Sequence, residues 1–280
     1  MPDSWIKNTT TTAIATFYSF TLVIMNISVF NTPEALGTAA GATAAKLIGE
    51  AINTNGTANI ILATGTSQFE TLNSLVLAND IDWNKVIMFH LDEYISLPVT
   101  HMASFRKYLQ ERFLSKVGPL KEAFLINGNT DPVKECERLS TLIRQHPVDV
   151  ALIGIGENGH LAFNDPPADF ETTHPYIIVE LDEACKKQQM GEGWFHTIDE
   201  VPLRAISMSV QQILKSKNII CSVPGERKAA AIRNTFEKEI SNMYPSSILR
   251  TQPSCNIYLD TNSASMLSGE IKETMVCRND

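Results

Sequence analysis

Short apolar segments alternate along the chain with longer segments whose apolar residues recur at helical spacing. Thr32-Pro33-Glu34 has the capping hydroxyl, early proline and acidic residue typical of a helix start, and an alanine-rich helix is predicted from there to about Ile52. Further helices are predicted near 68–78, 102–114, 132–146, 210–214 and 226–240. Buried strands are predicted at 25–30, 59–63, 86–90, 148–153, 176–180, 205–208, 218–222 and 256–259. This alternation predicts an α/β protein, with a three-layer α/β/α arrangement around a mostly parallel, Rossmann-like central sheet.

The chain has 280 residues, of which 44% are hydrophobic and 19% charged, so it can bury a substantial core. We predict a single domain over residues 25–280. Residues 1–24 are predicted to be an N-terminal extension outside the domain, because Met25 opens the first strand. The apolar stretch 13–30 is too polar for a membrane span, and a weak signal peptide is the alternative.

Charge and cysteine content narrow the possible partners and the compartment. The net charge of −8 argues against nucleic-acid binding and against attachment to a membrane surface. The five cysteines are scattered without a paired motif, which is typical of reduced thiols in a cytoplasmic protein.

Polar loops follow four of the predicted strands, at residues 64–67, 91–94, 154–165 and 224–228. In parallel α/β sheets, ligands bind outside the carboxyl ends of the strands. We therefore expect all four loops to face one crevice.

The most informative loop begins at Gly154 and contains three glycines, which allow a tight turn and a close approach to a ligand. The loop also contains groups able to hold or move protons, including Asn158, His160 and Asp165. His160 with Asp165 five residues later is a plausible proton-transfer unit. The alternative is a structural histidine.

Two other loops have features of a phosphate site. Thr64-Gly65-Thr66 combines hydroxyls with the free N–H groups of a helix start, although an ordinary helix cap has the same residues. Lys228 is predicted in the first turn of a helix, where a cation is disfavoured unless an anion joins it.

Asp92 and Glu93 follow an apolar strand, and neighbouring residues of an extended segment point in opposite directions. We expect only one of them to face the crevice, as a base or as a turn residue. A carboxylate with a pKa of about 4 is ionised at neutral pH but is a weak base. The histidines form no pair at metal-ligand spacing, so no metal site is predicted.

Three segments together resemble the glucosamine-6-phosphate deaminase (isomerase) family, and the likeness covers about residues 25–267. They are Leu91-Asp92-Glu93-Tyr94, the segment from Gly154 to Pro166 (Gly-x-Gly-x-x-Gly-His-Leu-Ala-Phe-Asn-Asp-Pro), and Gly225-x-x-Lys228-Ala229. The resemblance implies an enzyme that opens the ring of an amino-sugar phosphate, moves a proton between C2 and C1, and releases ammonia and fructose 6-phosphate. It implies no cofactor, because the open-chain aldehyde acidifies the C2 proton.

The resemblance also implies roles for individual residues. His160, with Asn158 and Asp165, matches the ring-opening acid/base group, and Asp92 matches the base for the C2 proton. The implied phosphate-binding residues are Thr64, Gly65, Thr66 and Lys228. Some bacterial members are hexamers, so the resemblance implies a homo-oligomer whose only other partner is a sugar phosphate.

The chain departs from the family pattern at three places. Asn158 stands where well-known members have Asp, and Asp165 replaces a Glu. The phosphate-binding Arg expected after the motif is not evident: Gln189 aligns near its place, with Lys186 or Lys187 as substitutes.

Other functions remain open at this point. A galactosamine 6-phosphate deaminase, or another sugar-phosphate isomerase or lactonase, would share the fold. A non-catalytic sugar-phosphate sensor is a further alternative, but regulators of that kind carry a basic N-terminal helix-turn-helix, and residues 1–30 contain one Lys and no Arg.

Overall fold

The predicted apolar strands assemble into one large parallel sheet. The computed structural model describes residues 26–273 and 276–277, so the predicted extension at 1–24 lies outside the described residues. The strands are β1 (Asn26–Phe30), β2 (Ala58–Leu62), β3 (Val86–His90), β4 (Asp92–Tyr94), β5 (Glu122–Phe124), β6 (Val150–Ile153), β7 (Tyr176–Glu180), β8 (Arg204–Met208), β9 (Asn218–Val223), β10 (Cys255–Asp260) and β11 (Val276–Cys277). The helices are α1 (Pro33–Asn55), α2 (Phe69–Val76), α3 (Phe105–Leu109), α4 (Pro132–Gln145), α5 (Glu183–Gly191), α6 (Val210–Leu214), α7 (Ala229–Glu237) and α8 (Gly269–Glu273).

The main sheet has eight strands in the order β11-β1-β10-β9-β6-β2-β3-β5. All of its strand pairs are parallel. Because consecutive strand residues point to opposite faces, Ile60 and Leu62 of β2 enter one core while Ile61 enters the other. The first core contains residues of α1 and α2, and the second contains residues of α4, α6 and α7. The predicted three-layer α/β/α fold is confirmed.

A second, antiparallel sheet was not predicted. It has three strands in the order β4-β8-β7, so the segments 176–180 and 205–208 lie outside the main sheet. The prediction of a loop at 91–94 is wrong for residues 92–94, because Asp92 pairs with Ser207 and Tyr94 pairs with Ala205. This pairing fixes the backbone on either side of Glu93.

Three predicted helices differ in extent from the observed ones. The helix predicted at 102–114 begins at Phe105, after the capping residue Ser104, and continues from Gln110 to Leu114 as a π-helix. A 3-10 turn at Thr66–Gln68 precedes α2, and another at Glu226–Lys228 precedes α7, in place of the first turns of the predicted helices. Lys228 therefore lies immediately before α7 rather than inside it. Within the described part of the chain, no helix has both the length and the apolar character needed to cross a membrane.

Candidate active site

A cleft opens at the carboxyl edge of the main sheet, beyond the ends of β2, β3, β6 and β9. Each of the four predicted loops contributes at least one residue to its lining. The space in the cleft that no protein atom fills is about 530 Å³, which includes the part open to solvent.

The loop after β6 places the ring of His160 directly over the backbone of Gly156. A Cβ atom at Gly156 would lie 2.2 Å from His160 Nε2, so a larger residue there would displace the imidazole. The turn is closed by hydrogen bonds from Gly156 N to His160 O (3.0 Å) and from Gly159 N to Gly156 O (3.0 Å). Gly159 has a φ of 88°, a left-handed conformation that favours glycine.

His160, Asn158 and Asp165 form one hydrogen-bonded group. His160 Nδ1 lies 2.9 Å from Asp165 Oδ1, and Asn158 Nδ2 donates to the same oxygen at 2.9 Å. Burial raises the pKa of Asp165, but the hydrogen bond and the charge of His160, with the hydrogen bond from Asn158, outweigh it and lower that pKa below its usual value. His160 lines the cleft, whereas Asn158 and Asp165 lie behind it. Asn158 and Asp165 therefore position the imidazole.

Asn164 holds the turn that follows His160, a role that the sequence did not reveal. Its side-chain amide donates to Leu161 O (2.6 Å) and Met208 O (2.8 Å). Ala162 in this turn has a φ of 51°, which is uncommon for a residue other than glycine. The turn presents Ala162 and Phe163 to the cleft.

Of the two adjacent carboxylates, only Asp92 lines the cleft, as expected from their opposite directions. Glu93 points the other way, where its carboxylate accepts hydrogen bonds from Ser104 Oγ (2.9 Å) and Arg106 N (2.8 Å) at the start of α3. Burial, with a smaller contribution from the charge of Glu93, raises the pKa of Asp92 to about 8. The expectation of a fully ionised Asp92 at neutral pH is therefore wrong, because the sequence does not show that this side chain is buried.

The turn after β2 has the features expected of an anion site. Gly65 has a φ of 96° and starts the short 3-10 turn that leads into α2. The hydroxyl oxygen of Thr64 is buried and has no hydrogen-bond partner, although Thr64 lines the cleft beside Thr66. A ligand oxygen would satisfy this hydroxyl.

Gln68 anchors this turn to the neighbouring strands, and sequence reasoning missed it. Its side chain is fully buried. Its amide nitrogen donates to Ile153 O (3.2 Å) and approaches Ser222 O (3.4 Å), at the ends of β6 and β9. The turn after β2 is thereby fixed relative to the loops that follow those two strands.

Lys228 reaches the same part of the cleft from the turn after β9. Gly225, with a φ of 94°, opens this turn, and its N–H donates to the carboxylate of Asp260 at 3.1 Å. The Lys228 side chain is 9% exposed, and its Nζ lies 3.9 Å from Glu192 Oε1. Burial lowers the pKa of Lys228, and Glu192 and Glu157 oppose that shift.

Helix α5 and the residues after it cover one side of the cleft and contribute Gln188, Gln189 and Glu192. Gln189 accepts a hydrogen bond from Tyr94 Oη at 2.8 Å. Lys187 points away from the cleft and lies near Glu183 at 3.4 Å, and Lys186 does not line the cleft. Neither lysine therefore replaces the expected arginine in this structure.

Among the residues that the structure describes, one group of side chains has the chemistry to bind a metal ion. Ligand atoms of His160, Asp165 and Cys185 lie within 4.8 Å of one another. His160 and Asp165 already form a hydrogen bond, and burial raises the pKa of the Cys185 thiol, so this thiol is protonated at neutral pH. The prediction that the protein uses neither a metal nor a cofactor stays a prediction.

Comparisons with known proteins agree with this geometry. The family model for glucosamine-6-phosphate isomerases/6-phosphogluconolactonase matches residues 31–257. A glucosamine-6-phosphate deaminase of Listeria monocytogenes (serotype 4a, strain HCC23) is 35% identical over 217 residues, covering 76% of this chain and 90% of that protein. The corresponding enzyme of Bacillus cereus (strain B4264) is 32% identical over 250 residues, covering 89% and 92%.

Solved structures show the same fold. One described as a monomeric glucosamine-6-phosphate deaminase has a TM-score of 0.78 and 30% identity, covering 86% of this chain and 100% of that one. A 6-phosphogluconolactonase from Trypanosoma brucei has a TM-score of 0.70 at 17% identity, covering 87% and 99%, and shows the fold alone. By sequence and by fold, this chain belongs to the glucosamine-6-phosphate isomerase/6-phosphogluconolactonase family.

Proposed function

We propose that this protein is an enzyme that converts glucosamine 6-phosphate and water to fructose 6-phosphate and ammonia. The observation that carries the proposal is the presence of Asp92 and His160 in one cleft with the turn at Thr64–Thr66 and Lys228. The relatives at 32–35% identity, which bear the name glucosamine-6-phosphate deaminase, support it.

In this proposal His160 opens the sugar ring. The 2.9 Å contact with Asp165 Oδ1 favours a proton on Nδ1, which leaves Nε2 free to exchange a proton with the C1 hydroxyl and the ring oxygen. Asn158 supports the same geometry, because its Oδ1 accepts from His160 N at 3.1 Å while its Nδ2 donates to Asp165. Asn158 and Asp165 act through His160 as positioning residues.

Asp92 acts on the open-chain aldehyde by taking the C2 proton and returning it to C1. Its raised pKa of about 8 makes it a stronger base than an ordinary carboxylate once it is ionised. After this transfer the nitrogen is an imine on C2, and hydrolysis of the imine releases ammonia.

The phosphate of the substrate is proposed to bind between the turn after β2 and Lys228. The unpartnered hydroxyl of Thr64, the open turn at Gly65 and the buried ammonium of Lys228 support this assignment. Thr66 supplies a second hydroxyl at the same edge of the cleft.

Supplying substrates and measuring products tests the proposal. We expect glucosamine 6-phosphate to yield equal amounts of ammonia and fructose 6-phosphate. A preference for galactosamine 6-phosphate would change the assigned sugar but keep the reaction class. Hydrolysis of 6-phosphogluconolactone without consumption of either amino sugar would contradict the proposal, and binding without turnover of any of these compounds would indicate a sensor.

We further propose that the protein is cytoplasmic, that residues 25–280 form one domain, and that residues 1–24 are an extension absent from the native protein. N-terminal sequencing of the native protein tests the last point, because residues found before Met25 would contradict it. That the protein forms a homo-oligomer stays a prediction, and analytical ultracentrifugation would test it by measuring the mass in solution. One related structure is described as monomeric.

A further inference from the structure

A buried carboxylate occupies the end of the cleft where phosphate is proposed to bind. The side chain of Glu192 is 5% exposed, and its Oε1 lies 3.9 Å from Lys228 Nζ. Gln188 Nε2 donates to Oε1 at 2.9 Å, and Trp194 Nε1 donates to Oε2 at 3.2 Å. Two hydrogen bonds therefore hold the carboxylate in place beside the lysine.

The other cation of this turn also has a carboxylate partner. Arg227 Nε lies 3.3 Å from Glu157 Oε1. Each basic side chain of the Arg227–Lys228 pair thus faces one acid, and the positive charge that would attract a phosphate is balanced within the protein. An anion that approaches Lys228 meets the charge of Glu192 as well, at a distance where like charges repel in a partly dehydrated site.

The carboxylate cannot swing away without breaking other contacts. Gln188 Oε1 accepts from Glu157 N at 2.8 Å, and Gln189 accepts from Tyr94 Oη at 2.8 Å. These contacts attach α5 to the loop after β6 and to β4. Moving Glu192 away from an incoming anion would therefore break its hydrogen bonds with Gln188 and Trp194, and Gln188 is itself held by the loop after β6.

We propose that Glu192 acts as the counter-ion of Lys228 and competes with the substrate phosphate for it. This inference deepens the function proposed above and rests on its assignment of Lys228 to the phosphate. It makes the affinity for phosphate weaker than Lys228 alone would give, so that contacts to the sugar contribute a larger share of substrate binding.

Calorimetric titration with inorganic phosphate tests the inference without any sugar. We expect Glu192→Gln to bind phosphate about tenfold more tightly than the wild-type protein, equivalent to about 1.4 kcal/mol. Glu183→Gln, at the start of α5, is the matched control. Because Glu183 is exposed and 3.4 Å from the exposed Lys187, this control should bind phosphate like the wild-type protein.

A double-mutant cycle shows whether the effect passes through Lys228. The gain from Glu192→Gln should disappear in the Lys228→Gln background. Glu192→Ala is the second variant if Glu192→Gln does not fold, and it should also bind phosphate more tightly. Unchanged or weaker phosphate binding by the folded Glu192 variant would overturn the inference.

These phosphate-binding measurements can be told apart from a test of the deaminase assignment. If the wild-type protein releases no ammonia from either amino sugar while Glu192→Gln still gains affinity for phosphate, the deaminase assignment fails and the counter-ion role stands. If the wild-type protein deaminates an amino sugar but Glu192→Gln does not gain affinity for phosphate, the deaminase assignment stands and the counter-ion role fails.

Discussion

Two acidic groups of the site, Asp92 in the lining of the cleft and Asp165 behind His160, are both largely removed from water, yet their pKa values shift in opposite directions. At Asp165, hydrogen bonds from His160 and Asn158 and the charge of His160 outweigh burial, so the pKa is lowered. At Asp92, burial is the largest effect and the neighbouring charge of Glu93 adds to it, so the pKa rises to about 8.

The difference lies in what offsets burial: Asp165 has hydrogen bonds from His160 and Asn158 that favour its ionised form, whereas burial dominates at Asp92. An ionised Asp165 orients His160 through the contact between its Oδ1 and His160 Nδ1. The raised pKa of Asp92 gives its ionised form a proton affinity suited to taking a carbon-bound proton near neutral pH. Pairs of carboxylates with pKa values pushed apart in this way are typical of acid/base sites.

Removing the base at Asp92 should have the largest effect on activity. Asp92→Asn keeps the shape and the hydrogen-bonding capacity of the protonated side chain but cannot accept the C2 proton. We expect kcat for deamination to fall about 10³-fold, with fructose 6-phosphate still bound. Steady-state kinetics and calorimetry measure the two effects, and Asp80→Asn at an exposed position is the control. Turnover close to that of the wild-type protein would remove Asp92 from its role.

Moving the His160 side chain by a substitution at a neighbouring residue should have the next largest effect on activity. In Gly156→Ala the new methyl group would overlap the imidazole, so the ring must leave its position near Asp165. We expect kcat to fall about 10²-fold in a folded protein. Gly49→Ala is the matched control, because an added Cβ there meets nothing within 4 Å. That control should keep full activity and gain up to ~1 kcal/mol of stability from helix propensity. Equal activity of the two variants would show that the position of His160 does not matter.

The raised pKa of Asp92 predicts a pH profile. Since the base must be ionised in the free enzyme, kcat/KM should rise about tenfold between pH 7 and pH 9 as Asp92 titrates near 8.

The stability of the fold should change with pH in the opposite sense. A carboxyl with a raised pKa stabilises the fold fully below its unfolded pKa of about 4, and that contribution is lost as the pH rises through about 8.

Asp92→Asn should abolish this loss of stability, so that thermal unfolding of the variant is less dependent on pH between 5 and 9. A kcat/KM that is constant from pH 6 upward would contradict the pKa assigned to Asp92.

The smallest effect is expected at Asn158. Asn158→Asp replaces a donor to Asp165 with a second carboxylate at hydrogen-bonding distance, which raises the pKa of Asp165. We expect a loss of about 1–2 kcal/mol in the free energy of unfolding at pH 7 and a severalfold lower kcat. Because protonation relieves the repulsion, the difference in stability from the wild-type protein should shrink toward pH 4. If the variant is as stable as the wild-type protein, the hydrogen bond from Asn158 does not help to hold Asp165 ionised.

Six strands of the main sheet were predictable because they are mainly apolar runs bounded by turn residues, whereas the short strands β5 and β11 were not predicted. The second sheet was not, because β4 has the local sequence of a polar loop and pairs with β8 about one hundred residues later. Helix α5 gave no amphipathic signal either, since two of its buried residues are Gln188 and Gln189.

Part of the site could be predicted from local sequence and part could not. The contact of His160 with Asp165 arises within one short loop, so the motif indicated it. The protonation of Asp92 depends on burial by distant elements. The pairing of Lys228 with Glu192 joins residues far apart in sequence, and no motif connects them.

A carboxyl titration tests the contrast between the two acids most directly. Aspartate side chains labelled with ¹³C can be followed by NMR from pH 3 to pH 10 in the wild-type protein, Asp92→Asn and Asp165→Asn. We predict one carboxyl that titrates near pH 8 and is absent from Asp92→Asn, and another, absent from Asp165→Asn, that titrates below the usual range of an aspartate. A wild-type protein in which every aspartate titrates below pH 5 would contradict the account.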